Sequence, residues 1–282
     1  MTNAPLSTYR LQITPEFTFH DAEKLVPYLD RLGVTHAFVS PILQAAPGSM
    51  HGYDVVDHSR VSVDNGGEEG LRSFADALHE RGMGLIVDVV PNHMTIPAPI
   101  WHNPALWAVL RDGHESPYFS WFDIDPGAEH GILLPVLGRP IGKTILDGEL
   151  ERGEAEVPQP DGSVRTESVL RYYDHVFPLA SGTEELPLVE LLEAQHYRLA
   201  YWRVANDELN YRRFFDVETL AAVRVEDLAV FDETHKTLMR LQSEGVIDGY
   251  RIDHPDGLAD PRGYLRRLAS ATDGAWTCLL YT

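Results

Sequence analysis

Cysteine is almost absent: Cys278 is the only thiol among 282 residues, so no intrachain disulfide can form. That usage is compatible with a reducing compartment. No run is long and apolar enough to span a bilayer. The opening MTNAPLSTYRLQ lacks the basic-then-apolar pattern of a secretory signal. A cytoplasmic protein with no membrane partner is therefore expected. Positive charge is scarce, with 23 Lys and Arg against 43 Asp and Glu and a net charge of −20. Such a balance repels polyanions, which argues against nucleic acid as a partner and leaves a neutral substrate as the better fit. No CxxC or HExxH pattern occurs, so no metal is expected, and there is no GxSxG elbow. The one glycine-rich candidate, Asp64-Asn65-Gly66-Gly67, runs on into Glu68 and Glu69 rather than Lys and Ser or Thr. It reads as a turn entering a helix, so no nucleotide or other cofactor is expected.

What the chain does have is a repeated unit of helix, glycine and apolar strand. A helix near 20–32 carries Leu25, Tyr28, Leu29 and Leu32 at helical spacing, and one near 68–81 carries Leu71, Phe74, Ala75 and Leu78. Gly33 and Gly82 close them, and the apolar stretches THAFVS (35–40) and GLIVDVV (84–90) follow. Strands buried on both faces read as such continuous runs, which points to a parallel sheet covered by helices. The unit returns with Phe231, His235, Leu238 and Leu241, then Gly245 and the strand IDGYRI, then a helix at 261–270 and an apolar run at 275–281. Between 94 and 215 the rhythm breaks into an aromatic, turn-rich stretch with some helix near 188–202. The reading is a partial (β/α)8 barrel, with 1–93 as its first part, 94–215 as an insertion subdomain over the active-site rim and 216–282 as its continuation.

Three clusters can carry chemistry. In Asp248-Gly249-Tyr250-Arg251-Ile252-Asp253-His254, strand alternation puts Arg251 and Asp253 on one face. An adjacent guanidinium would keep Asp253 ionised, as a carboxylate nucleophile requires; a structural Arg–Asp pair is the alternative. Asp88 sits inside an apolar strand that Pro91 ends, placing Asn92 and His93 just beyond its C-terminal end. His51-Gly52-Tyr53-Asp54 offers a ring face for a sugar and a carboxylate for sugar hydroxyls or an arginine. Each cluster has a structural reading as a rim brace or loop closure. All three fall at or just after strand ends, where barrel enzymes keep their sites.

DVVPNH (88–93) and GYRIDH (249–254) resemble the first two signature regions of the α-amylase superfamily of glycoside hydrolases and transglycosylases. HGYDVVDH (51–58) resembles that superfamily's loop after strand two. A narrower resemblance, to its trehalose-forming transglucosylases, rests on STYRLQ (7–12), SPIL (40–43), LLPVLG (133–138), RYYDHVFPL (171–179) and QHYRLAYWRVANDELNYRRFF (195–215). It implies a retaining, intramolecular transfer that turns the reducing-end α-1,4 linkage of a maltooligosaccharide into an α,α-1,1 linkage. It also implies Asp253 as nucleophile and Arg251 as its ionic neighbour. Tyr53, Asp54, Asp88, Asn92, His93 and His254 would line or brace the central sugar subsite. Two other readings are a hydrolytic amylase and a non-catalytic glucan-binding barrel. The superfamily places its acid/base glutamate at the end of the fifth strand and another essential aspartate after the seventh. Here Trp276 to Thr282 carries no glutamate, and the last acidic residue is Asp273. The ending CLLYT departs from the family pattern, so a shortened reading of a longer gene, without turnover by itself, is expected.

Overall fold

The computed structural model describes residues 4–125, 131–159 and 161–279. The chain divides into two compact units, one made of Met1–His93 with Arg224–Thr282 and the other of Met94–Val223.

The first unit is built on five parallel strands: β1 (Thr8–Leu11), β2 (His36–Val39), β3 (Gly84–Val89), β4 (Gly249–Ile252) and β5 (Trp276–Leu279). Their spatial order follows their order in the chain, without the reversal that creates a doubly wound sheet. Helix α1 (Phe19–Leu32) joins β1 to β2, and α2 (Gly67–His79) lies between β2 and β3. Helix α3 (Leu228–Ser243) precedes β4, and α4 (Pro261–Ala271) joins β4 to β5. All six residues of β3 are buried, as the uninterrupted apolar run requires. Residues 280–282, part of the expected last strand, lie outside the described residues.

The α2 and α3 stripes bury as their spacing predicts, but the α1 stripe does not. Its buried residues are Phe19, Ala22, Val26 and Leu29, whereas Tyr28 is 48% and Leu32 52% exposed. Phe19 and Val26 share a face with Leu29, and large size alone did not decide which leucines went inward. Gly33 ends α1 at φ 81° with its N–H on the Asp30 carbonyl, a left-handed turn that a side chain would strain.

The second unit is mostly antiparallel and irregular. Glu151–Pro158, Val164–Tyr172 and His175–Pro178 form a three-stranded meander, and Tyr197–Tyr201 runs parallel to Ile132–Leu137. The helix expected within 188–202 is the six-residue Leu188–Glu193, and the strand Tyr197–Tyr201 takes up most of the rest of that stretch. Tyr197, Leu199 and Ala200 are buried in the strand that follows, because pairing with Ile132–Leu137 outweighs local helical spacing.

Candidate active site

Register assembles the site. β3 and β4 pair with Arg251 directly beside Asp88, so the two charged residues of two apolar strands become neighbours. A single Arg251 nitrogen, Nη1, donates to both Asp88 oxygens at 2.7 Å and to Asp253 Oδ1 at 2.7 Å. The alternation expected along β4 holds: Tyr250 and Ile252 are buried, and the Tyr250 hydroxyl reaches the Leu238 carbonyl of α3 at 3.2 Å. Tyr53 donates its hydroxyl to Asp88 Oδ2 at 2.7 Å. One connected path therefore runs Tyr53–Asp88–Arg251–Asp253.

Asp88 and Asp253 are only 2% and 6% exposed. Burial pushes the Asp88 carboxyl up, against the opposing pull of Arg251 and Tyr53. Burial alone would lower the Arg251 guanidinium, but Asp88, Asp253 and Tyr53 outweigh it and raise it. The Tyr53 phenol is pushed up to about 12, by burial first and then by the Asp88 charge. Tyr53 is thus a neutral donor at physiological pH.

Two of the remaining candidates, Asn92 and His93, brace this path. Asn92, fully buried, donates Nδ2 to the Asp253 carbonyl at 2.7 Å, while the Asp253 N–H binds the Val89 carbonyl at 2.9 Å. The strand end carrying the carboxylate is therefore held from both sides. His93 Nε2 lies 3.1 Å from the Tyr53 carbonyl, and burial lowers its pKa to about 4, so the ring is neutral and Nε2 carries the proton. Among the described residues Asp54 has no arginine partner. It accepts from Ser49 Oγ and lies 3.6 Å from His51 Nδ1, which keeps it within its own loop. His254 has φ 42° and ψ 59°, a left-handed conformation that costs a non-glycine residue about 1–3 kcal/mol and concentrates at functional positions. Its Nδ1 faces Asp256 at 3.5 Å.

Sequence reasoning missed two features. Arg10, in β1, donates Nη2 to the Tyr53 hydroxyl oxygen at 3.2 Å. Its placement two-thirds of the way along a sheet strand, beside β2, was the available signal. Beneath the site, buried His58 and His235 line a void of about 10 Å³ together with Asp88 and Thr234. A larger cavity of about 720 Å³ lies wholly within the second unit, among Phe119, Ile141, Leu192, Tyr197 and Tyr201, and includes none of the predicted site residues. Among the described residues no group of three or more His, Cys, Asp or Glu side chains is arranged to hold a metal ion. No helix among them is long and apolar enough to cross a membrane.

A parallel sheet carrying an Arg-bridged pair of carboxylates at its strand ends suits glycosyl chemistry, and residues 22–137 match the alpha-amylase catalytic domain family. Over that segment the chain is similar to the α-amylase class. Within it, the particular likeness is to maltooligosyl trehalose synthase. The chain is 43% identical over 271 residues, 93% of its length, to a curated Mycobacterium tuberculosis (strain ATCC 25618 / H37Rv) protein of that description. The structure of maltooligosyltrehalose synthase from Arthrobacter ramosus superposes with a TM-score of 0.88 at 47% identity, covering 98% of this chain and 34% of that one. An intracellular maltogenic amylase of Bacillus subtilis (strain 168) matches at 35% over 97 residues, 34% of this chain and 15% of its own length. The chain spans about a third of the length of the curated trehalose-forming relatives it matches.

Proposed function

We propose that the chain forms part of a glucan-rearranging enzyme, in which the five-stranded sheet is an arc of a (β/α)8 barrel and residues 94–215 are an insertion after its third strand. The reaction is the intramolecular conversion of a reducing-end α-1,4 linkage of a maltooligosaccharide into an α,α-1,1 linkage. The observation that carries this reading is the hydrogen-bonded path Tyr53–Asp88–Arg251–Asp253, whose Asp88, Arg251 and Asp253 lie toward the C-terminal ends of adjacent parallel strands, where barrel enzymes place their sites.

In this reading Asp253, hydrogen-bonded by Arg251, attacks the anomeric carbon and forms a glycosyl-enzyme ester. The released glucose turns and re-attacks through its own anomeric hydroxyl, so configuration is retained and water must be kept out. Asp88, engaged by both Arg251 and Tyr53, orients the guanidinium. Tyr53, Asp54, Asn92, His93 and His254 shape the sugar subsite. The leaving oxygen needs a second, protonated carboxyl. Among the described residues the carboxylates hydrogen-bonded into this path are Asp88 and Asp253, and neither is free for that role. The 282-residue chain by itself is therefore expected to bind maltooligosaccharide without turning it over.

The test compares this chain with a version extended to the full length of its relatives, scoring trehalose-capped product. The extended protein should be active, and Asp253→Asn should remove turnover by on the order of 10⁴-fold or more while glucan binding persists. Turnover retained in Asp253→Asn would reassign the nucleophile, and free glucose or maltose as the dominant product would favour the hydrolase.

A further inference from the structure

The STYRLQ segment at 7–12 carries part of the family resemblance, and the reaction scheme gives it no task. Arg10 lies within it, on β1, paired in register with Phe38 of β2. Its guanidinium carbon sits 5.7 Å from the centre of the Phe38 ring, and one nitrogen donates to the Tyr53 oxygen at 3.2 Å. Arg10 is exposed, so this bond is not forced by burial.

A tyrosine hydroxyl has one proton to donate and an oxygen that can accept. Arginine has donors only and stays protonated. When Arg10 donates to the Tyr53 oxygen, that oxygen must be the acceptor. The hydroxyl proton is then directed away from Arg10, and Asp88 Oδ2 lies 2.7 Å away to accept it. Without Arg10 the hydroxyl is free to swing toward water or a substrate hydroxyl.

We propose that Arg10 is a positioning residue that commits the Tyr53 hydroxyl proton to Asp88, so that Asp88 holds Arg251 and thereby Asp253 in one arrangement. The path then has a guanidinium at each end of its first half, Arg10–Tyr53–Asp88–Arg251, with donors and acceptors alternating along it. This assignment deepens the glucan reading of the same site and rests on it for its catalytic meaning.

The experiment reads the titration of Asp88 directly, by its side-chain carboxyl carbon in NMR of the 282-residue chain. The groups facing that carboxylate are Tyr53 and Arg251 by hydrogen bond, with Asp253 and Cys278 nearby and His58 and His235 across the small void. All are retained in Arg10→Met. Removing the Tyr53 donor should raise the Asp88 midpoint by roughly half a unit to one unit, because that bond favours the ionised form. Arg10→Met is expected to give most of the rise seen in Tyr53→Phe, and the double variant no more than Tyr53→Phe alone. An unmoved Asp88 in Arg10→Met overturns the assignment. So does an equal shift from Arg10→Met in the Tyr53→Phe background, which would mean that the cation acts on Asp88 through space. Unchanged β4 amide signals guard against a folding defect. In the extended protein Arg10→Met should lower kcat about tenfold with little change in KM, and an unchanged kcat overturns the catalytic part. Turnover by the unmutated extended protein is scored separately. Its absence counts against the glucan reaction and leaves the Asp88 titration to judge the hydroxyl assignment.

Discussion

The two units treat ionisable groups in opposite ways. The parallel-sheet unit buries carboxylates and imidazoles: Asp88, Asp253, His58, His93 and His235 are all below 7% exposed. Among the described residues, the buried polar side chains of the 94–223 unit are Thr95, Asn103, Ser116, Thr144, Thr183 and Gln195, all hydroxyls and amides. Its ion pairs keep at least one partner near water, as in Arg198–Glu208, where both side chains are close to half exposed. Burying a charge costs several kcal/mol unless geometry and partners compensate. A fold that keeps such groups inside only one of its units has concentrated its electrostatic strain there, and strongly perturbed groups cluster at functional sites more often than elsewhere.

The largest effect should come from breaking that contrast at its centre. Arg251→Met removes the partner of two buried carboxylates and should destabilise the parallel-sheet unit by about 3–5 kcal/mol. Native-state hydrogen exchange at the β4 amides is the measure. A loss below about 1 kcal/mol would mean that the carboxylates are neutral or already solvated.

Acid comes next. Burial lowers the pKa of His58 to about 4, that of His93 to about 4 and that of His235 to about 3, from 6.5. Between 6.5 and 4 the unfolded chain takes up protons that the folded chain refuses. The stability these rings provide is therefore complete above pH 6.5 and falls as pH drops toward 4, by on the order of 3 kcal/mol per ring at most. His79 has the opposite sign: its Asp248 partner raises it, so its contribution is present at low pH and fades as pH rises through that higher value. Denaturant midpoints followed from pH 7 to pH 4 should show the loss, and His58→Phe should flatten the slope. An equal slope in the variant would reject the buried neutral histidine.

A smaller effect tests helix α3, where the Asp227 side chain accepts from the Ala229 N–H. Asp227→Ala should cost about 1 kcal/mol, read as faster exchange in the first turn of α3. The smallest should come from the second unit: Arg198→Met breaks an exposed pair and should change stability by about 0–1 kcal/mol. A cost near that of Arg251→Met would erase the distinction between the units.

Much of the first unit was legible because its signals are local. The β3 run, the α2 and α3 stripes and the alternation of Arg251 and Asp253 need only period and composition. The α1 face was misread because Leu25, Tyr28 and Leu32 look apolar while Ala22 and Phe19 decide the packed side. The strand Tyr197–Tyr201 was hidden because its partner, Ile132–Leu137, is more than sixty residues away in sequence. The Ser49 and His51 contacts of Asp54 were not legible, because they depend on how its loop turns back on itself.

By itself the sequence determined which residue types lie at the strand ends, because hydrophobic period and strand alternation are properties of neighbours in the chain. Only the tertiary structure decided that Asp88 and Asp253 share one nitrogen of Arg251, and that Arg10 reaches Tyr53 from the edge strand. Those contacts join residues 43 to 163 positions apart, or turn on the direction of one guanidinium. Strand register and side-chain direction set them, and neither is written in any local stretch of sequence.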